Sequence, residues 1–194
     1  MKTTFFAATA LFAAAGLAAP AAEPDALLSV NFKSSPWRPL IPFTSKFSVC
    51  ATPDQVVNGT TPTGGLEGAV GYYNFGLNSK LDIICYNIKL VNFRGDYQSP
   101  ANTATHIHEA ARGASGPPRI AFPNPKVVPG GPENERISVG CISGPFKTGV
   151  VNNVTKIDSG DGFTIAKLEA NPAAFFADVH SSLAVPGAVR GQLA

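Results

Sequence analysis

The chain has 194 residues, of which 44% are hydrophobic and 14% charged. That is enough apolar material for one buried core and too much for a disordered chain. A formal net charge of +2 excludes the basic stripe a nucleic-acid binder needs, and 19 glycines with 17 prolines call for many turns and few long helices.

Residues 1–19 read as a secretory signal. Met1-Lys2-Thr3 is a short basic start, Phe5 to Ala19 is an apolar run, and Gly16 and Ala18 supply small residues for cleavage. The run is shorter than the roughly 20 residues of a membrane span, and no later stretch escapes interruption by Pro or Gly, so no membrane span is expected. Residues 20–45 are Pro-rich, contain Trp37, and offer one edge strand at Ser29 to Phe32. A single domain is then expected over 46–194.

From Lys46 the pattern is strand and turn. Phe47 and Val49 alternate with Ser48 and Cys50, the period-two signature of a half-buried strand. Pro53-Asp54, Asn58-Gly59 and Gly64-Gly65 mark a long loop or hairpin. Further strands are predicted over Ala69 to Leu77, Leu81 to Phe93 and Thr103 to Glu109. A Gly/Pro loop from Gly113 to Pro132 is interrupted by Arg119 to Phe122, and another strand runs from Ile137 to Ile142. Phe163 to Asn171 is the one credible helix, with Asp161 or Thr164 to cap it and Pro172 to end it. Phe175 to His180 and Ala188 to Leu193 close the chain around a Pro186-Gly187 turn. Seven or eight short strands and one short helix predict an all-β fold, an antiparallel Greek-key sandwich or barrel.

Three cysteines in an exported chain leave one over. Spacing leaves all three pairings open. Cys85 and Cys141 lie inside predicted strands and are the favoured pair, with Cys50 expected to be a buried free thiol. Two sequons, Asn58-Gly59-Thr60 and Asn153-Val154-Thr155, are candidate glycosylation sites at Asn58 and Asn153.

Two segments carry a family resemblance. One is Thr105-His106-Ile107-His108-Glu109-Ala110-Ala111-Arg112-Gly113. The other is Phe176-Ala177-Asp178-Val179-His180, followed by Pro186-Gly187-Ala188-Val189-Arg190-Gly191-Gln192-Leu193. In this order they resemble the chordin-type CHRD domain, and the Ala51 to Val57 and Glu169 to His180 stretches resemble its secreted fungal members. Glu109 stands where that family often has Gly. The resemblance implies an all-β domain in an extracellular or cell-wall protein, with partners of the same compartment and no established catalysis.

All three histidines of the chain fall in these two segments. His106 and His108 are two apart on a predicted strand and share a face; His180 lies on another. Three converging imidazoles suit copper or zinc. His106-Ile107-His108-Glu109 with the later Phe122-Pro123-Asn124-Pro125, Val179-His180 and Gly187 to Arg190 also resembles, more distantly, Cu/Zn superoxide dismutase. That likeness implies His106, His108 and His180 as copper ligands and Arg190 as a cationic guide for an anionic substrate. The bridging histidine and the disulfide cysteines of that family are missing, so a two-metal site is excluded. The alternative function is thus a mononuclear copper protein with dismutase-like or other redox activity. A sugar-binding module has little support, because Trp37 lies in the Pro-rich segment and no aromatic platform is visible.

Overall fold

The computed structural model describes residues 41–194. The expected signal, the Ser29 to Phe32 strand, Trp37 and most of the Pro-rich segment lie outside the described residues.

Eleven strands form the domain: β1 (Ser45–Ala51), β2 (Val57–Asn58), β3 (Thr61–Pro62), β4 (Val70–Asn78), β5 (Ile83–Val91), β6 (Thr105–Glu109), β7 (Pro118–Phe122), β8 (Lys126–Val127), β9 (Arg136–Ser143), β10 (Phe175–Ser181) and β11 (Ala184–Gln192). Three of these, β2, β3 and β8, are two-residue pieces; β7 stands where Arg119 to Phe122 interrupts the expected Gly/Pro loop, and the others fall where strands are predicted. One antiparallel sheet runs β1-β4-β5-β9-β8, a second β11-β10-β6-β7, and β2-β3 is a separate hairpin. The two larger sheets face each other as a sandwich.

Alternation supplies the inner faces. Tyr73, Phe75 and Leu77 of β4 stand opposite Ile88, Tyr86 and Ile84 of β5. All six are buried, and they meet Ile107, Ile120, Phe122, Phe175, Ala177 and Val179 from the second sheet. Phe122 stacks on Phe75 at 5.6 Å and leans on Tyr86 at 4.9 Å. Each such side chain removed from water contributes about 1.5–3 kcal/mol.

The predicted helix is α1 (Ile165–Ala170), which buries Ile165 and Leu168 at one end of the sandwich. Neither Asp161 nor Thr164 caps it. The Ile165 N–H donates to Asp82 Oδ1 at 2.7 Å, so the cap comes from the β4–β5 turn, a non-local solution to the unmet donors of a helix start.

Two expectations need correction. The final turn lies at Ser182-Leu183, and Pro186-Gly187 falls inside β11. That strand is a sheet edge, where a proline's missing N–H costs no ladder bond. Cys50 is exposed, not buried. The alternation that buries Val49 and Ala51 turns Cys50 outward with Lys46 and Ser48. Cys85 and Cys141 do form the disulfide, directly opposite each other on β5 and β9.

Candidate metal centre

The four-stranded sheet has a second face, away from the core. On β10, Phe175, Ala177 and Val179 point inward, which leaves Phe176, Asp178 and His180 on the outer side. On β6, Ile107 points inward and His106 and His108 outward. Register places His106 opposite Asp178, His108 opposite Phe176, and Asp178 opposite Arg190 of β11. Four ligand-type side chains from two adjacent strands therefore share one patch. Bulges interrupt the ladders beside His108 and at His180, and such bulges re-aim a side chain locally.

The ligand atoms of His106, His108, Asp178 and His180 all lie within 4.8 Å of one another. His108 Nε2 is 3.4 Å and His180 Nε2 3.2 Å from Asp178 Oδ2, while His106 Nδ1 is 3.5 Å from Oδ1. His106 Nδ1 and His108 Nε2 are 3.3 Å apart. Although the patch is on an outer face, His106 is 1%, Asp178 3% and His108 8% exposed.

The outward nitrogens set the tautomers. His106 Nε2 faces the Thr103 carbonyl at 2.6 Å, His108 Nδ1 that of Gly116 at 2.8 Å, and His180 Nδ1 that of Val185 at 2.9 Å. A carbonyl only accepts, so each of these nitrogens carries the hydrogen. In the neutral rings, all three inward nitrogens are then bare lone pairs aimed at an acceptor-only carboxylate. Asp178 Oδ1 is buried without a hydrogen-bond partner. Such a set of facing acceptors needs a positive charge at its centre, a proton or a metal ion. Imidazoles held from behind by carbonyls are the usual outer support of a metal site, and three nitrogens with one carboxylate oxygen suit zinc or copper.

The protons follow the same geometry. Burial holds the His106 imidazolium down, so this ring is neutral near pH 7. Burial also opposes protonation of His180, but the Asp178 carboxylate overrides it and raises His180 to about 9. Burial disfavours the Asp178 anion, yet the neighbouring His108 and His180 keep its carboxyl well below the usual carboxylate range. The metal-free site therefore carries an Asp178–His180 ion pair.

A loop covers the patch. Residues 110–117, between β6 and β7, fold back over β10 and β11. Gln192 Nε2 donates to the Ala110 and Ala173 carbonyls. Ser115 reaches the β2–β3 hairpin, its N–H to the Gly59 carbonyl at 2.8 Å and its hydroxyl to that of Val57. A cavity of about 190 Å³ remains, bounded by His108, Asp178, His180, Phe176, Arg190 and Val56 among others. It is smaller than the 300–1,000 Å³ pockets that take drug-sized ligands.

The structure thus brings His106, His108 and His180 together. Arg190 lines the cavity, but both of its terminal nitrogens donate to backbone carbonyls. Asp178 is the ligand-type residue that the histidine pattern alone did not supply; its place two residues before His180 was the available signal. Glu109, where the resembled family often has Gly, accepts from Arg119 Nε at 2.7 Å across the β6–β7 ladder. Asn58 and Asn153 are both exposed. No helix among the described residues is long and apolar enough to cross a membrane.

No curated protein and no solved structure gives a match to this chain. The sequence model of the CHRD domain matches residues 47–193, which takes in every strand from β2 to β11 and all four residues of the cluster. The chain belongs to the CHRD domain family.

Proposed function

We propose that this is an exported CHRD protein of extracellular or cell-wall role whose domain holds one copper ion on His106, His108, Asp178 and His180. The observation that carries the reading is that three imidazole nitrogens, whose outer N–H groups are already committed to carbonyls, face the buried Asp178 carboxylate, His106 at the otherwise unpartnered Oδ1 and His108 and His180 at Oδ2. Copper is preferred over zinc because divalent copper stands above it in affinity for a given nitrogen and oxygen set. The Cys85–Cys141 disulfide supports an oxidising compartment. On this reading residues 1–19 are removed on export, 20–45 precede the domain of 46–194, and Asn58 and Asn153 carry glycans. Secreted protein should then begin between Ala19 and Glu23 and lose mass on enzymatic deglycosylation.

The test is titration of metal-free protein with copper and, separately, zinc. One tightly bound copper per chain, with nitrogen hyperfine structure in its electron paramagnetic resonance spectrum, is the expected result. A tight zinc site that copper does not displace would overturn the choice of metal, and binding of neither would overturn the site.

A second reading, dismutase-like or other redox activity, is favoured by the cavity that reaches Asp178, His108 and His180. Bound copper would supply one-electron chemistry there. The protein's own part is to fix the three rings and leave one side of the site facing the cavity. Superoxide consumption by the copper-loaded but not the metal-free protein checks it.

A further inference from the structure

The sandwich leaves Arg190 with more to do than its place beside the cavity suggests. It is 4% exposed on the outer face of β11, opposite Asp178 in register. Its own backbone is bonded both ways to Thr52, at the end of β1, so its Cα is fixed to both large sheets. From there the guanidinium reaches the covering loop. Nη1 donates to the Ala114 carbonyl at 2.8 Å, and Nη2 to that of Ala111 at 3.1 Å and to Gln192 Oε1 at 3.4 Å. Its Cζ lies over the Phe176 ring, 3.6 Å from the centroid. Phe176 in turn stacks on His108, with centroids 5.0 Å apart and planes 8° from parallel.

Both routes end on one ring. The loop clamped at Ala111 and Ala114 continues to Gly116, whose carbonyl holds His108 Nδ1. Gly116 sits so close to β6 that a Cβ there would lie 1.9 Å from the Glu109 carbonyl oxygen. The loop is therefore packed tightly against β6 where it reaches His108, so a shift at Ala114 would be passed on to the ring.

We propose that Arg190 is a positioning residue of the metal site: its two-pronged grip on the 110–117 loop and its stack on Phe176 fix the tautomer and the plane of His108. The role needs the planar fork of a guanidinium, which a lysine ammonium does not reproduce. It differs from that of a cationic guide for an anion, because the terminal nitrogens are spent on carbonyls. The proposal rests on the metal reading above only for its first readout.

The two roles predict effects of opposite sign on copper affinity. A positive charge beside a bound cation repels it, so Arg190→Gln acting through charge alone would tighten copper binding and Arg190→Lys would leave it unchanged. A lost positioning residue weakens binding in both variants, by the 10- to 100-fold typical of outer-shell changes at metal sites. Competition of the full chain against a chelator of known affinity measures this. The copper spectrum should also broaden in both variants as His108 samples more than one orientation. Tighter or unchanged binding in Arg190→Gln, or wild-type affinity in Arg190→Lys, overturns the proposal. Should Arg190→Gln fail to fold, Arg190→Lys, which keeps the charge and the alkyl stem, decides it.

A second readout needs no metal. In the metal-free protein the His108 Nδ1 proton should be protected from solvent exchange in nuclear magnetic resonance spectra, and Arg190→Lys should speed its exchange at least tenfold. Equal protection in the two proteins overturns the proposal. If wild-type protein binds neither copper nor zinc, the metal reading fails and this exchange measurement still decides the role of Arg190.

Discussion

The two large sheets share one core but treat their outer faces in opposite ways. On the five-stranded sheet the outward residues Lys46, Ser48 and Cys50 of β1, Tyr72 of β4 and Ile137 and Val139 of β9 are exposed. On the four-stranded sheet the outward residues His106, His108, Phe176, Asp178 and Arg190 are nearly as buried as the core itself. The same strand alternation produces both faces. The difference is the 110–117 loop with the β2–β3 hairpin it is tied to, which covers one face and spares the other. Under that cover the polar groups are met by backbone carbonyls from behind, while their inner atoms are left facing one another. A face meant only for stability would bury apolar side chains there, since unmet polar atoms in a dry site cost about 1–3 kcal/mol each. The cluster is therefore not explained by apolar packing; a positive charge among its inner atoms, whether the His180 proton or a metal ion, satisfies it.

The largest effect belongs to the shared core and should be blind to metal. Phe122 is fully buried between Phe75 and Tyr86, so Phe122→Ala is expected to lower stability by about 3–5 kcal/mol. Denaturant unfolding of metal-free protein reads this, and a loss below about 1 kcal/mol would mean the sheets do not pack at this point. Next comes the exposed sheet's own brace. Cys85 and Cys141 are 56 residues apart, and in the chain-entropy picture a loop of that length is worth roughly 4 kcal/mol. Cys85→Ser with Cys141→Ser should lose most of it while leaving copper affinity unchanged. A parallel fall in affinity would show that the two outer faces are coupled.

The covered face should respond to metal and little else. With free copper at about a hundred times its dissociation constant, the wild type should gain about 2.7 kcal/mol of stability by mass action. Asp178→Asn, which keeps the shape and removes the charge, should gain almost none. Equal stabilisation of the two proteins would place the copper elsewhere.

Most of the fold was legible in the sequence, because a strand with one face on a core must alternate, and β4, β5, β6 and β9 do. Two histidines on one face of β6 followed from that same period. His180 was legible only through the segment resemblance, since its aim depends on a bulge that no periodicity announces. Asp178 was open to view in Asp178-Val179-His180, where a spacing of two puts it beside His180. Cys50 was misjudged against its own alternation. The cover over the site was not legible, because it depends on where a loop folds back, and that is set by distant partners such as Arg190 and Gln192.

Acidity should separate the two faces more finely. His106 is neutral near pH 7, while Asp178 holds His180 protonated up to about 9. Copper must therefore displace a proton from His180, and affinity should rise about tenfold, or about 1.4 kcal/mol, per pH unit from pH 7 to about 9 and then level off. The metal-free protein should show the reverse trend. The pKa of His180 is raised on folding from its ordinary 6.5, so the stability it contributes is complete below about 6.5 and lost as pH climbs through about 9. Affinity that rises as metal-free stability falls is the signature, the two cancelling so that the stability of the fully loaded form stays level between about pH 7 and 9; a flat affinity over that range would remove the Asp178–His180 pair from the account.

The smallest effect tests whether the exposed face is truly free. Cys50 points outward from β1 beside Tyr72 on β4, its register partner, and no hydrogen bond or disulfide among the described residues uses its thiol. Cys50→Ser should change stability by no more than about 0.5 kcal/mol, as for other surface positions without a special role. In the native protein the thiol should react with a water-soluble disulfide reagent as fast as a free cysteine in a peptide, while Cys85 and Cys141 stay inert until the chain is reduced. A slow thiol, or a cost above 1 kcal/mol, would mean that this face is covered in solution as the histidine face is, and the contrast between the two sheets would collapse.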